Sequence, residues 1–444
     1  MVDTYDCMTS NYFDRQLAAY QTTHNSSASD YALLGVESEY LLLDQDLKPV
    51  EQLIRDDIIH SGSSFCRELG AAQIETTTRP FDIKREGHWG LLEDILRLEK
   101  ELIYQATRRN CYVFRGGIYP GLLDNIALTN DRPHYLDLYN SIEQSVKECS
   151  QKAVNGIPLR HKSTRYLALS QASQLNIQVG QGQEMLDVLN TSYYLSPLFM
   201  ALSVNAPIID GMITGCMDVR NILWQIGYDS RTLKEYYENK QCGIGLPVQF
   251  YSSSDKYWED VKTQIIYCNN EDTALSTAQR LFRKAIRLKY CKSEASHEVY
   301  LLMENRYISM QQSAYSDIAL HLACYTMLML LKEKEFSYCR FPFSYLQENF
   351  RNACLMGDKC DLFFLDDNQN LIKGSASSLI DKMIMDIDYY WKSISRETGD
   401  FIVEHLIKML SQKKRLHCFT DRQNPLDEDT IKRFINKQIL HQCE

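Results

Sequence analysis

Several patterns that would assign this 444-residue chain to a class at once are missing from it. Its 14 cysteines are scattered singly from Cys7 to Cys443, with no C-x-x-C pair to make a zinc ribbon or a dithiol redox centre. They read as free, mostly buried thiols of a protein in a reducing compartment. The 10 histidines form no H-x-H or H-E-x-x-H cluster, so the common zinc-site spacings are excluded. No run of about 18 or more uncharged apolar residues occurs, and Met1-Val2-Asp3-Thr4-Tyr5-Asp6 lacks a basic region followed by an apolar one. These absences argue against a membrane partner or a secretory signal and for a cytoplasmic protein. Lysine and arginine form no dominant stripe, and a net charge of -10 with a pI near 5.6 argues against a nucleic-acid partner. No internal repeat is evident.

What remains is an ordinary globular composition, 44% hydrophobic and 24% charged, with one unusual stretch. Leu34-Gly35-Val36-Glu37-Ser38-Glu39-Tyr40-Leu41-Leu42-Leu43 reads as a strand with Glu37 and Glu39 on one face and Val36 and Tyr40 on the other. Two neighbouring carboxylates fit an exposed edge, a protonated pair or a site with a cation between them. Asp44 to Pro49 is turn chemistry and suggests a hairpin. A second strand runs through Gln73-Ile74-Glu75-Thr76-Thr77 and ends near Pro80, again with Gln73 and Glu75 on one face.

Residues 85–109 have helical spacing, and the Gly116-Gly117 and Pro120-Gly121 pairs read as turns that need no ligand. Strict alternation then places Gln174, Asn176 and Gln178 opposite Leu175, Ile177 and Val179. Amides on a polar site would offer both donors and acceptors. Residues 183–206 read as a helix stopped by Pro207, and Arg220 and Arg231 flank an aromatic, helix-like segment. A helix is expected over 271–291, then a strand, Glu298 to Ile308, with Glu304 and Arg306 sharing a face. Helical patterns follow over 315–334, 344–356, 375–395, 401–412 and 427–440. Three divisions result: a polar extension over 1–30 with little function, a main domain over 31–412 and a helical tail over 413–444.

The ordered series G-V-E-x-E, A-Q-I-E, a polar alternating strand ending in V-G, Ala201-Leu202-Ser203-Val204-Asn205-Ala206-Pro207, and M-E-N-R resembles the type 2 glutamate-cysteine ligases and related carboxylate-amine ligases. The resemblance covers roughly residues 33 to 360. It implies an α+β, glutamine-synthetase-like fold: a curved antiparallel sheet forming a funnel, with helices packed outside. It also implies that ATP activates a carboxylate, glutamate or a similar acid, as an acyl phosphate, which an amine such as that of cysteine then attacks. Magnesium on the phosphates would assist phosphoryl transfer.

Matched residue by residue, the resemblance implies metal ligands at Glu37, Glu39, Glu75 and Glu304 and catalytic arginines at Arg306, Arg220 and Arg231. It implies nucleotide or substrate contacts from Glu37, Gln73, Asn176, Gln178 and Arg351, the last beside Glu348. Where many bacterial relatives have His-x-His-Val-Gly, this chain has Asn176-Ile177-Gln178-Val179-Gly180, which keeps hydrogen bonding but weakens metal binding. Asp131-Arg132-Pro133-His134-Tyr135 separates an arginine and tyrosine that are usually adjacent. Small-molecule substrates and ATP are the expected partners. Alternatives are a protein or peptide acceptor, a noncatalytic nucleotide- or partner-binding module, and a homo-oligomeric state.

Overall fold

A computed structural model describes residues 2–23, 33–62, 64–130, 153–227, 234, 238, 244–264, 273–292, 297–417 and 424–440. Nine strands form the main sheet. They are β1 (Leu33–Leu43), β2 (Phe65–Arg67), β3 (Gln73–Thr77), β4 (Phe81–Asp82), β5 (Tyr112–Phe114), β6 (Ser173–Val179), β7 (Ile286–Lys292), β8 (Val299–Asn305) and β9 (Ile439–Leu440). The central path runs β7-β8-β6-β1-β3-β2, with β4 and β5 also on β1 and β9 on β5. Every pairing within it is antiparallel.

Register follows from the alternation of side chains. Arg287 lies opposite Glu304, Glu304 opposite Asn176, and Asn176 opposite Gly35. Across β1, Glu37 faces Gln174 on one side and Thr77 on the other, while Glu39 faces Glu75. Residues directly opposite in an antiparallel pair share a face. The glutamates of these strands are therefore gathered on the inner side with Arg287, Gln174 and Asn176.

The outer side is apolar for the same reason. Leu34, Val36, Leu175, Ile177, Val179, Leu288, Leu301 and Met303 enter one core with the helices. Among those helices are α1 (Val2–Thr23), α3 (Ile83–Thr107), α4 (Gln183–Ser203), α6 (Ala314–Glu333), α7 (Phe343–Met356), α8 (Ala376–Lys392) and α9 (Arg396–Leu416), while α2 (Gln52–Ser61), α5 (Val219–Gly227) and α10 (Glu428–Asn436) bury Ile58, Leu223 and Ile435 in a second core with Tyr40, Leu42 and Ile74. Ser313, Ser375, Ser395 and Asp427 cap α6, α8, α9 and α10 by accepting from first-turn amides. By length and composition α6 could cross a membrane, but 83% of its most apolar window is buried, so its hydropathy is that of a central core helix.

The extension expected over 1–30 carries a helix, Val2–Thr23: Phe13 enters the main core and Gln16 Oε1 accepts from the Leu275 amide at 2.8 Å. Three sequence readings change. The 44–49 turn forms, bridging Leu43 to Pro49, but leads into α2 instead of a second hairpin strand. Of the helix expected over 271–291, only Ala274–Leu281 forms, because Ile286, Leu288 and Tyr290 alternate as a strand that packs on the helices. The 427–440 pattern divides into α10 and β9, and β9 pairs with β5.

Gly117 has a packing reason to be glycine, since a Cβ there would lie 2.8 Å from the Asn205 carbonyl oxygen. Beneath β1 the sheet is tied to α6: Arg115 pairs with Glu99 and Asp317, while the Tyr40 hydroxyl donates to Glu99 at 2.9 Å.

Candidate active site

Carboxylates on the inner face fall into two electrostatic groups. On the β7 side, Glu304 is fully buried and meets three cations. The Arg287 Nε donates to it, Lys289 Nζ lies 2.5 Å from its Oε1, and Arg306 Nε lies 3.2 Å from its Oε2. Lys289 also reaches Glu37 Oε1 at 2.9 Å, where the Asn176 amide donates at 3.1 Å. Burial alone would push the Glu304 carboxyl up, but Arg287, Lys289 and Arg306 outweigh it and hold it well below the usual carboxylate range.

The β3 side lacks such compensation. Burial, then the charge of Glu68, raises Glu39 to about 7 despite Arg220, Arg306 and the Ala172 amide. Its oxygens accept from Gln174 Nε2 at 2.6 Å and the Ala172 amide at 2.8 Å. Glu75, directly opposite, is pushed well above the ordinary carboxylate value by burial and by Glu37, Glu68 and Glu39.

Beside Glu39 a cleft is lined by Glu68, Leu69, Trp224, Arg220, Arg283 and Arg306. The Arg220 and Arg306 guanidinium carbons lie 5.2 and 5.0 Å from the Trp224 ring centroid. Arg220 also donates to the carbonyls of Arg306 and Tyr307, at 3.1 and 3.3 Å. This is a cationic wall facing an acidic floor, able to receive a multiply charged anion together with a cation.

Eight residues singled out in the sequence therefore share the inner face and its cleft: Glu37, Glu39, Glu75, Glu304, Arg306, Arg220, Asn176 and Gln178, the last buried opposite Leu302. Gln73 borders the cleft, but its amide is already bonded to backbone: Oε1 accepts from Gly70 at 2.6 Å and Nε2 donates to the carbonyls of Leu167 and Ser170. Arg351 and Glu348 are exposed on α7 and outside the cleft lining. Arg231 and the Asp131 to Tyr135 segment lie outside the described residues.

The four glutamates divide between the two groups just described. Among the described residues no three His, Cys, Asp or Glu side chains group to hold an ion. Glu304 and Glu37 are instead joined by Lys289. Sequence reading missed Arg287 and Lys289 because they fell within the expected helix; the alternation Ile286-Arg287-Leu288-Lys289-Tyr290 was the available signal. It also missed Glu68, Arg283 and Trp224, which only the folding of loops and helices brings to the cleft.

A curled antiparallel sheet with its charged groups inside and helices outside defines a glutamine-synthetase-like fold. Glutamate–cysteine ligase from Francisella tularensis, solved in complex with AMP, is similar, with a TM-score of 0.52 and 12% identity over 91% of this chain and 92% of that one. A bifunctional glutathione synthetase from Pasteurella multocida is similar with a TM-score of 0.55 and 13% identity over 91% of this chain and 52% of that one. The chain belongs to glutamate-cysteine ligase family 2, whose sequence model matches residues 33–335. A search of curated proteins finds no match.

Proposed function

We propose that this protein is an ATP-dependent carboxylate-amine ligase that forms an amide through an acyl phosphate, with glutamate as the acid and cysteine or another small amine as acceptor. One observation carries the reading: Glu39, opposite Glu75, borders the same cleft as Arg220, Arg283 and Arg306. Family membership and the AMP held by the Francisella ligase support a nucleotide in that cleft.

The donor set fits magnesium on one side only. Glu39 and Glu75 are half-buried, directly opposed and mutually repelling, an arrangement that a divalent cation relieves. Magnesium characteristically takes one or two carboxylates and fills its remaining positions with water and phosphate oxygens, so the absence of a three-residue group among the described residues is compatible with it. When bound there it would neutralise phosphate charge during transfer.

The chain's own groups do the rest. Arg306 and Arg220 hold the transferring phosphoryl group, their planes fixed by Trp224 and by carbonyl contacts. Gln174 fixes Glu39, its Nε2 donating at 2.6 Å, while its Oε1 lies 3.4 Å from Arg306 Nε. Asn176 Oδ1, buried and without a hydrogen-bond donor among the described residues, offers an acceptor for the amine or the α-ammonium group of the acid.

Purified protein incubated with ATP, Mg²⁺, glutamate and a panel of amines should release ADP in step with amide formation. Glu39→Gln should abolish both while the circular dichroism spectrum is kept. No ADP release with any acid and amine pair by folded protein would overturn the assignment.

A further inference from the structure

The two sides of the inner face answer the same physical problem differently, and the difference centres on Lys289. Its ammonium contacts Glu37 Oε1 and Glu304 Oε1 at 2.9 and 2.5 Å, reaching from β7 across β8 and β6 to β1. Two carboxylates held by one central positive charge, with the Asn176 side chain alongside at 3.1 Å from Glu37, form the arrangement that a bridging divalent ion would otherwise make. Lysine supplies that charge as a compact point with three donors, fixed by its own backbone.

We propose that Lys289 is a built-in counter-ion that takes the place of a bridging metal between Glu37 and Glu304, so that this chain binds divalent cations only on the Glu39–Glu75 side. Arg287 completes the exclusion. It lies directly opposite Glu304 and donates to it, so the outer oxygen of that carboxylate is also claimed. Glu37 and Glu304 then act as anchors for the cations rather than as metal ligands, and Lys289 is a positioning residue that sets how many ions the site accepts. The inference takes from the proposed function only the cation at Glu39 and Glu75.

The test is a count of Mn²⁺ bound to the full chain, read by electron paramagnetic resonance without nucleotide. Lys289→Met should bind one more Mn²⁺ per chain than the unaltered protein, and the added ion should be tighter when Arg287→Gln is combined with it. Lys289→Arg, which keeps the charge, should add none. Adding Glu304→Gln to Lys289→Met should remove the extra ion. The proposal is overturned if neither Lys289→Met nor the double variant gains an ion.

Glu37→Gln in the unaltered background covers the case in which the lysine variants do not fold. It should leave the Mn²⁺ count unchanged; a loss would identify Glu37 as a metal ligand and overturn the proposal. The count needs no turnover, so a protein that releases no ADP still decides it. A count left unchanged by Lys289→Met and by its combination with Arg287→Gln, in a protein that does release ADP, defeats this inference alone.

Discussion

Glu304, fully buried, and Glu39, half-buried, are glutamates on the same face of one sheet, yet their surroundings drive them in opposite directions. Glu304 has Arg287, Lys289 and Arg306 around it and is held far below the ordinary value. Glu39 is raised to about 7 by loss of solvent and then by the charge of Glu68, which Arg220 and Arg306 do not offset. Strand alternation placed both, but the cross-strand neighbour decided which became a fixed anion and which a site wanting a cation. A row of acids on a sheet is therefore not one site until its partners are known.

The strongest way to break the contrast is to remove the compensated acid. Glu304→Gln leaves Arg287 and Lys289 without their main partner, and urea unfolding should show a loss of about 3–5 kcal/mol. The same variant should change the acid limb of stability. A carboxyl depressed in the folded state stabilises above its unfolded value, ordinarily 4.5, and loses that contribution as pH falls below it. Stability of the unaltered protein should therefore fall more steeply below that pH than stability of Glu304→Gln. Equal acid limbs would show that the three cations do not act on Glu304 as described.

Arg306 touches both sides, so its removal tests whether the cleft performs chemistry. Arg306→Ala should slow ADP release by about 10²-fold, or about 2.7 kcal/mol, measured at saturating ATP. The uncompensated side can be sharpened without mutation. Mg²⁺ at about 100 times its dissociation constant should stabilise the protein by about 2.7 kcal/mol. That gain should vanish in Glu39→Gln and on chelation, as read by the melting temperature. The smallest effect belongs to Arg351→Ala: an exposed residue outside the cleft lining should change stability by less than about 0.5 kcal/mol and leave ADP release intact.

Alternation made the sheet readable: β6 alternates over 174–179, and the structure sets Glu39 opposite Glu75 and Glu304 opposite Asn176 on the face that carries Glu37. The sequence misled where two periods overlap. Leu275, Ala278, Leu281, Phe282, Ala285 and Ile286 satisfy a helical stripe, yet the helix ends at Leu281 and β7 begins at Ile286. That one boundary concealed Arg287 and Lys289, and with them the reason Glu304 differs from Glu39. Gln73 had the right face but the wrong task, because its role depends on a loop backbone that meets it only in the folded chain.

The pairing of β9 with β5 bears on the order of assembly. Ile439 must find Phe114 and Leu440 must find Val113, a closure over most of the chain's length that no local contact can prepare. Until it happens, β5 has a strand edge open to any passing backbone. A chain cut before Ile439 would therefore keep one adhesive border along β5.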